Sequence, residues 1–307
     1  MYTKEFNMKL RYQSLAPVML ITVLVTCFAS CTEPDMDDDF VAGEAPSIGE
    51  WKGSEEIAPS DLVSYWSFDG DAKDQKGNVT GERINGDATF VDGRKGKAYK
   101  GSANAFISYD NPGTLAGLTS FTVSFWINTA KHSGGAQGIY ALSRADGAFW
   151  SNFFVIVEGN TSSNNRMQLK LHFQKNVNPA IPNAENWVDP PDASRPDNMY
   201  GAWRHVTYTY DEQTSKAAMY ANGQAVDIGS AADRKSGVGD APLGPLAFKN
   251  AAKFIIGGFQ NHLGAPYGGL EPWMLNYTGM LDEMRIYKRA LNSQEVSALY
   301  QLERQGR

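Results

Sequence analysis

Apolar and polar residues alternate with a period of two along most of the chain. In Phe121–Asn128, Phe121, Val123, Phe125 and Ile127 fall on one side, and Thr122, Ser124, Trp126 and Asn128 on the other. Arg166–Phe173 alternates in the same way, with Met167, Leu169, Leu171 and Phe173 directed inward. Successive side chains of an extended backbone point to opposite faces, so this period marks strands with one buried face. The pattern predicts further strands at 62–68, 104–109, 139–143, 152–157, 203–210, 216–221, 253–258 and 279–287. Asn222-Gly223 separates Lys216–Ala221 from Gln224–Val226. That dipeptide favours a two-residue hairpin turn, because both of its positions need positive φ. Only the C-terminus reads as a helix. Asn292 is placed to cap it, Glu295 completes a capping box, and Val296, Leu299 and Tyr300 form the docking stripe. So many short strands, with no fixed-period repeat, predict one all-β, two-sheet antiparallel sandwich with a short C-terminal helix.

The first 60 residues stand outside this pattern. Lys4, Lys9 and Arg11 precede an apolar run from Leu15 to Ala29. The run is shorter than the roughly 20 residues of a bilayer-spanning helix and has the layout of a signal peptide. Phe28-Ala29-Ser30-Cys31 resembles the lipobox of bacterial lipoproteins, in which the cysteine is lipidated and becomes the first residue. Cys27 is the competing position, but Leu24-Val25-Thr26 lacks the small residue that normally precedes the cysteine. A plain secretory signal or a membrane anchor is the alternative. Residues 32–39 carry five acids. Such a run is ordinarily a solvated spacer; behind a lipidated cysteine it resembles the surface-export signal of Bacteroidetes lipoproteins. The expected organisation is a signal peptide at 1–30, an acidic tether at 31–60 and a folded domain at 61–307. The chain would be anchored by lipid at Cys31 in the outer membrane and exposed at the cell surface. With Cys27 cleaved off and Cys31 lipidated, no disulfide forms inside the mature chain.

Composition narrows the functional classes. A hydrophobic share of 42% against 20% charged residues excludes a disordered chain. Net charge is −6 with no basic tract, which sets nucleic acid aside as a partner.

Several blocks identify a family. Leu62–Asp69, then Asp74, then Asn85–Tyr99 resemble the opening of a laminin G-like, concanavalin A-like jelly-roll domain. Phe121–Asn128 resembles that family's "FTVSFWIN" strand, Trp203–Asp211 its "WHHVAVTYD" strand, and Ala218–Gln224 its "LYVNG" hairpin. Phe254–Gly258 and Gly279–Leu291 complete the order. The resemblance spans about residues 60–307 and implies a jelly-roll sandwich. Two stretches, 158–202 and 226–252, are long for the family, and loops on a rigid sandwich carry function.

Three carboxylates, Asp69, Asp71 and Asp74, sit in one short loop, and hard oxygen ligands at such spacing suit calcium. Asp282 is in phase with the apolar Met280, Met284 and Ile286, and an inward carboxylate must be paired, hydrogen-bonded or metal-bound. The resemblance implies a structural Ca2+ between Asp74 and Asp282, with Asp69 and Asp71 as local candidates. The alternative is that Asp282 accepts backbone N–H groups.

Catalysis finds little support. Sandwich glycosidases carry Glu-x-Asp-x-(x)-Glu on one strand so that two acids face a cleft together, and none lies near a predicted strand. Asp282 and Glu283 are adjacent and would face opposite sides of a strand. Glu158, Glu185 and Glu271 fall in loops, and His132, His172, His205 and His262 are scattered. The expectation is a binding protein without enzymatic activity. Sugars are held by aromatic faces with polar groups reaching the hydroxyls. Trp150, Trp187, Tyr200, Tyr267 and Trp273 lie in or beside predicted loops, with Arg144, Asp189, Asn261 and His262 nearby in sequence. Trp66, Trp126 and Trp203 fall in matched strands and read as framework. The expected partner is a poly- or oligosaccharide. A protein-binding or adhesion module of the laminin G-like type is the alternative, with surface proteins as partners, and a glycoside hydrolase comes third.

Overall fold

The computed structural model describes residues 47–159, 164–176, 184–235 and 240–307. Cys31 and the acidic run behind it lie outside these residues. The described strands form two sheets. The first contains β1 (Leu62–Trp66), β3 (Thr89–Asp92), β4 (Lys97–Lys100), β6 (Phe121–Asn128), β11 (Arg204–Asp211), β12 (Lys216–Ala221), β13 (Gln224–Val226) and β16 (Met280–Tyr287). Its order is β13-β12-β11-β6-β16-β4-β3, with β1 also paired to β16. The second contains β2 (Thr80–Asn85), β5 (Phe106–Asn111), β7 (Ala136–Leu142), β8 (Phe153–Val157), β9 (Leu169–Lys175), β10 (Ala184–Val188), β14 (Phe254–Ile256) and β15 (Met274–Asn276). Its order is β10-β9-β8-β7-β14-β5-β2, with β15 lying parallel on β7.

The inward residues of both sheets share one core. Val123, Phe125, Ile127, Tyr208 and Ile286 from the first sheet meet Ile107, Tyr140, Phe153, Leu171 and Phe254 from the second. Across the interface the Phe121 and Phe153 rings are 4.6 Å apart. This is the two-sheet antiparallel sandwich that the alternation predicts.

The outer face of the first sheet is covered too. The helix α1 (Ser293–Arg304) lies over it, and the Asn292 side chain accepts from Gln294 N and Glu295 N while Glu295 returns a bond from Asn292 N. Val296, Leu299 and Leu302 pack with Tyr220, Tyr287, Trp51 and Ile57 in a second apolar cluster. Trp51 and Ile57 reach this cluster from the segment ahead of Asp61. The apolar side chains Ile48, Trp51 and Ile57 cover sheet surface, although their spacing follows no period. Under the helix runs a polar seam. Arg285 Nε donates to Glu303 Oε1 at 2.7 Å, its Nη2 donates to Glu283 Oε2 at 2.8 Å, and Trp126 Nε1 donates to Glu303 Oε2 at 2.7 Å.

One strand departs from simple alternation. A β-bulge in β16 shifts the register between Asp282 and Arg285, with Glu283 at φ +47°. Leu281, Met284 and Ile286 face the core. Asp282 is therefore out of phase with Met284 and Ile286, because the extra residue of the bulge reverses the parity. It pairs with Trp126, whose side chain is on the outer face.

The strands that alternation does not reveal are edge or very short elements. Every residue of β2 from Thr80 to Ile84 is exposed, so no buried stripe marks it. β10 is an edge strand with Asn186 at an inward position between Ala184 and Val188, which hides the period.

Candidate functional site

The outer face of the second sheet collects the aromatic residues that the core does not use. Phe154 on β8 pairs with His172 on β9, and His172 pairs with Trp187 on β10, so three aromatic rings stand in a row across three strands. The Trp187 ring is 4.5 Å from His172, and His172 is 4.6 Å from Phe154. The β7–β8 loop lays Trp150 onto this row, stacked on Phe154 at 5.4 Å and edge-on to Trp187 at 5.2 Å. Trp273, just before β15, closes the group at 5.9 Å from Trp150. The three tryptophans are half-buried and keep part of their surface in solvent. Phe149 stands at their margin, 42% exposed, 4.7 Å from Trp150.

Thus three of the loop aromatics singled out by sequence converge. Trp187 does so from an edge strand, not from a loop. Tyr200 is elsewhere: it packs against the main core, with the Lys131 ammonium 5.9 Å from its ring. Asp189 is also apart, held by Gln168 and by Arg195 at 3.1 Å. Phe149 and His172 belong to the group but were not picked out as binding residues. The outward phase of His172 between Lys170 and Gln174 was the legible signal.

Beside the tryptophans, the chain after β14 folds into a loop that borders an open, shallow hollow of ≈ 690 Å³, lined by Gly147, Asn261, His262, Pro266 and Leu270. Gly147 N donates to Pro266 O at 2.9 Å and Gln260 Nε2 to Ala148 O at 2.8 Å, which ties this loop to the one carrying Trp150. Asn261 Nδ2 donates to Gly269 O at 2.7 Å, and Tyr267 lies in the same loop. His262 Nδ1 lies 3.1 Å from Phe259 N and 3.3 Å from Phe259 O, which seats the ring against its own turn. Burial holds the His262 pKa below its ordinary value.

Arg144 is 3% exposed, and its guanidinium is committed to Gln174 at 2.6 Å and to Asp146 at 2.7 Å. It braces the loop from within, where sequence suggested a ligand contact. Burial, and then the Arg144 charge, push the His172 pKa down to about 3, so its ring is a neutral aromatic floor.

The four aspartates expected at calcium all accept backbone N–H groups. Asp74 Oδ1 accepts from Tyr65 N and Lys76 N, and Oδ2 from Asn78 N and Val79 N. A carboxylate offers about four lone-pair directions, and all four are taken. Asp282 Oδ2 accepts from Arg94 N at 2.6 Å and Lys95 N at 3.0 Å, and Oδ1 from Glu283 N at 2.8 Å. Asp69 accepts from Lys97 N, and Asp71 from Lys73 N. Among the described residues no three metal-ligating side chains gather. N–H groups aimed at carboxylates repel a cation, so these four residues do not fit calcium as a set.

Of the loop acids, Glu158 pairs with Lys170 at 2.9 Å, while Glu185 stands on the edge strand β10 with its Oε2 3.9 Å from the neutral His172.

The protein is thus a two-sheet jelly roll with an aromatic cluster on the outer face of one sheet. The family model described as the concanavalin A-like lectin/glucanases superfamily, of laminin G type, matches residues 100–297. The chain belongs to that superfamily. No curated protein matches it. Among solved structures, a botulinum neurotoxin type C structure is similar with a TM-score of 0.54 at 13% identity, over 80% of this chain and 52% of that one. The binding domain of Paraclostridial Mosquitocidal Protein 1 gives a TM-score of 0.51 at 18% identity, over 78% and 52%. Domain 4 of an extracellular arabinanase from Geobacillus stearothermophilus, in complex with arabinotriose, gives 0.49 at 19%, over 78% and 98%. The chain thus spans about half the length of the two toxin chains.

Proposed function

We propose that the protein is a carbohydrate-binding module that captures a poly- or oligosaccharide without cleaving it. In this reading it is held at the surface of the outer membrane by lipid on Cys31. The convergence of Trp150, Trp187 and Trp273 on one solvent-facing surface carries the reading. Indole faces stack on the C–H faces of sugar rings, and rings pinned by packing lose little entropy on binding. The adjoining loop places Asn261 and His262 on the wall of its hollow. The botulinum neurotoxin type C structure, which shares the fold, concerns cell entry dependent on two ganglioside molecules.

A second reading has its own observation. Phe149 and Leu270 are 42% and 54% exposed on the two neighbouring loops, and exposed apolar groups also suit a protein partner. A glycan array with polysaccharide pull-down separates the two. Wild type is compared with Trp150→Ala, Trp187→Ala and Trp273→Ala. Binding of a glycan that is lost in a variant melting like wild type supports the proposal. Silence across the array, with retention of a surface protein that Phe149→Ser abolishes, replaces it with the second reading.

A further inference from the structure

The other sheet carries a second cleft, of ≈ 390 Å³, lined by Arg94, Arg204, Arg304, Trp126, Trp203 and Tyr300. Sequence had set Trp203 aside as framework. It is in fact half-exposed, one residue ahead of β11. Each wall has a structural cause. Asp282 accepts the N–H groups of Arg94 and Lys95 and so fixes the β3–β4 turn. That turn sets the Arg94 guanidinium 5.0 Å from the Trp126 ring and lets it donate to Arg304 O. Arg204 Nε donates to Asn198 O at 2.7 Å and its Nη1 to Trp203 O at 3.2 Å. Arg304 ends α1, where the carbonyl end of the helix favours a cation. Tyr300, one turn earlier, stacks on Trp126 at 5.7 Å.

Among the described residues the positive charge of this cleft has no acidic partner: no carboxylate lies within 4.0 Å of the Arg94, Arg204 or Arg304 guanidinium. The neighbouring Glu303 is buried and already engaged by Arg285 and Trp126. A larger adjoining cleft of ≈ 530 Å³ shares Asn222, Tyr300 and Arg304, and Asp227 is the one acid lining it. Three guanidinium groups thus stand together on a chain whose net charge is −6. Backbone carbonyls hold Arg94 and Arg204 in place yet leave N–H donors free for a ligand, since each guanidinium has five. Fixed guanidinium forks match carboxylate and sulfate oxygens.

We propose that this cleft binds an acidic sugar unit. Arg204 and Arg304 hold its carboxylate or sulfate, and Trp203 and Tyr300 face its ring. The aromatic walls favour a sugar over a bare anion or an acidic peptide, neither of which offers a C–H face. The site is separate from the tryptophan cluster and does not depend on it.

Titration calorimetry with the whole protein tests the proposal. The probes are tetragalacturonate, a sulfated oligosaccharide, a neutral tetrasaccharide, tetraglutamate and sodium sulfate. At least one acidic sugar is expected to bind, more weakly as salt rises. Arg204→Gln and Arg304→Gln should each weaken it tenfold or more with an unchanged melting temperature. Arg83→Gln, which removes the same charge from the exposed Asp110 pair on the other sheet, should not. Carboxylate and sulfate sources are told apart by which of the two acidic sugars binds. The proposal is overturned if neither acidic sugar binds, if both arginine variants bind like wild type, or if tetraglutamate or sulfate binds as tightly as the sugar.

Discussion

Trp187 stands directly opposite His172 across the β9–β10 pair, its ring 4.5 Å from the imidazole. The histidine has no surface exposure, so the indole that faces solvent rests on a ring shielded from it. Burial, and then Arg144, lower the His172 pKa from 6.5 to about 3. Glu185, at 3.9 Å, is 39% exposed and hydrated, and it does not reverse this. The folded-state pKa is below the unfolded one, so the unfolded chain binds a proton that the folded protein refuses. Stability is therefore complete above pH 6.5 and declines as pH falls toward 3. One proton per molecule amounts to about 1.4 kcal/mol per pH unit, or about 2 kcal/mol between pH 7 and pH 5. Urea denaturation at both pH values should show His172→Phe losing about 2 kcal/mol less than wild type. Equal losses would mean that the folded protein protonates His172.

Asp74 organises the loop after β1 by accepting four backbone N–H groups. Asp74→Ala leaves those donors without their acceptor and should cost at least about 3 kcal/mol, with Asp74→Asn in between. Chelation with EDTA should leave the wild-type melting temperature unchanged. A drop on chelation, restored by calcium, would show that these aspartates hold a cation.

How much could be read beforehand depended on what each residue's neighbours were. Strands with one buried face were legible, and Phe121–Asn128 matches β6 residue for residue. Asn292 and Glu295 marked the helix start because a capping box is a local code. β2 and the phase of Asp282 were not legible. An exposed edge strand has no period, and a bulge reverses parity without a composition signal. Trp150, Trp187 and Trp273 stood out as loop-type aromatics, but their convergence arises from sheet order, which brings β10 beside β9. The arginine cleft escaped notice because Arg94, Arg204 and Arg304 are far apart in the chain and unremarkable singly.

Arg285 bridges the two buried carboxylates of Glu283 and Glu303, at 2.8 and 2.7 Å, and His205 Nε2 lies 3.4 Å from Glu303 Oε2. Arg285→Met leaves two buried like charges facing one another. Removing one partner from such a group costs about 3–5 kcal/mol. Guanidinium denaturation should show a loss in that range. The double variant Arg285→Met with Glu303→Gln should recover part of it, since a glutamine oxygen still accepts from Trp126 Nε1. A loss below about 1 kcal/mol would mean that water reaches the seam.

Gly223 joins the hairpin to the second cleft. Both turn residues have positive φ, Asn222 at +50° and Gly223 at +74°, the twist that a two-residue hairpin needs. A Cβ on Gly223 would lie 2.9 Å from Tyr300 Cδ1, so the close seating of the helix on the turn also requires glycine. Gly223→Ala combines backbone strain with a clash and should cost about 1–3 kcal/mol. Because Tyr300 is the group that must yield, the same variant should weaken acidic-sugar binding with every arginine intact. Asn222→Gly tolerates the turn geometry but loses the bond that Asn222 Oδ1 accepts from His205 N at 3.0 Å, and about 1 kcal/mol is expected for that alone. Thermal melts beside acidic-sugar titrations check both. If Gly223→Ala lowers stability yet leaves the affinity untouched, Tyr300 is not a wall of the sugar site.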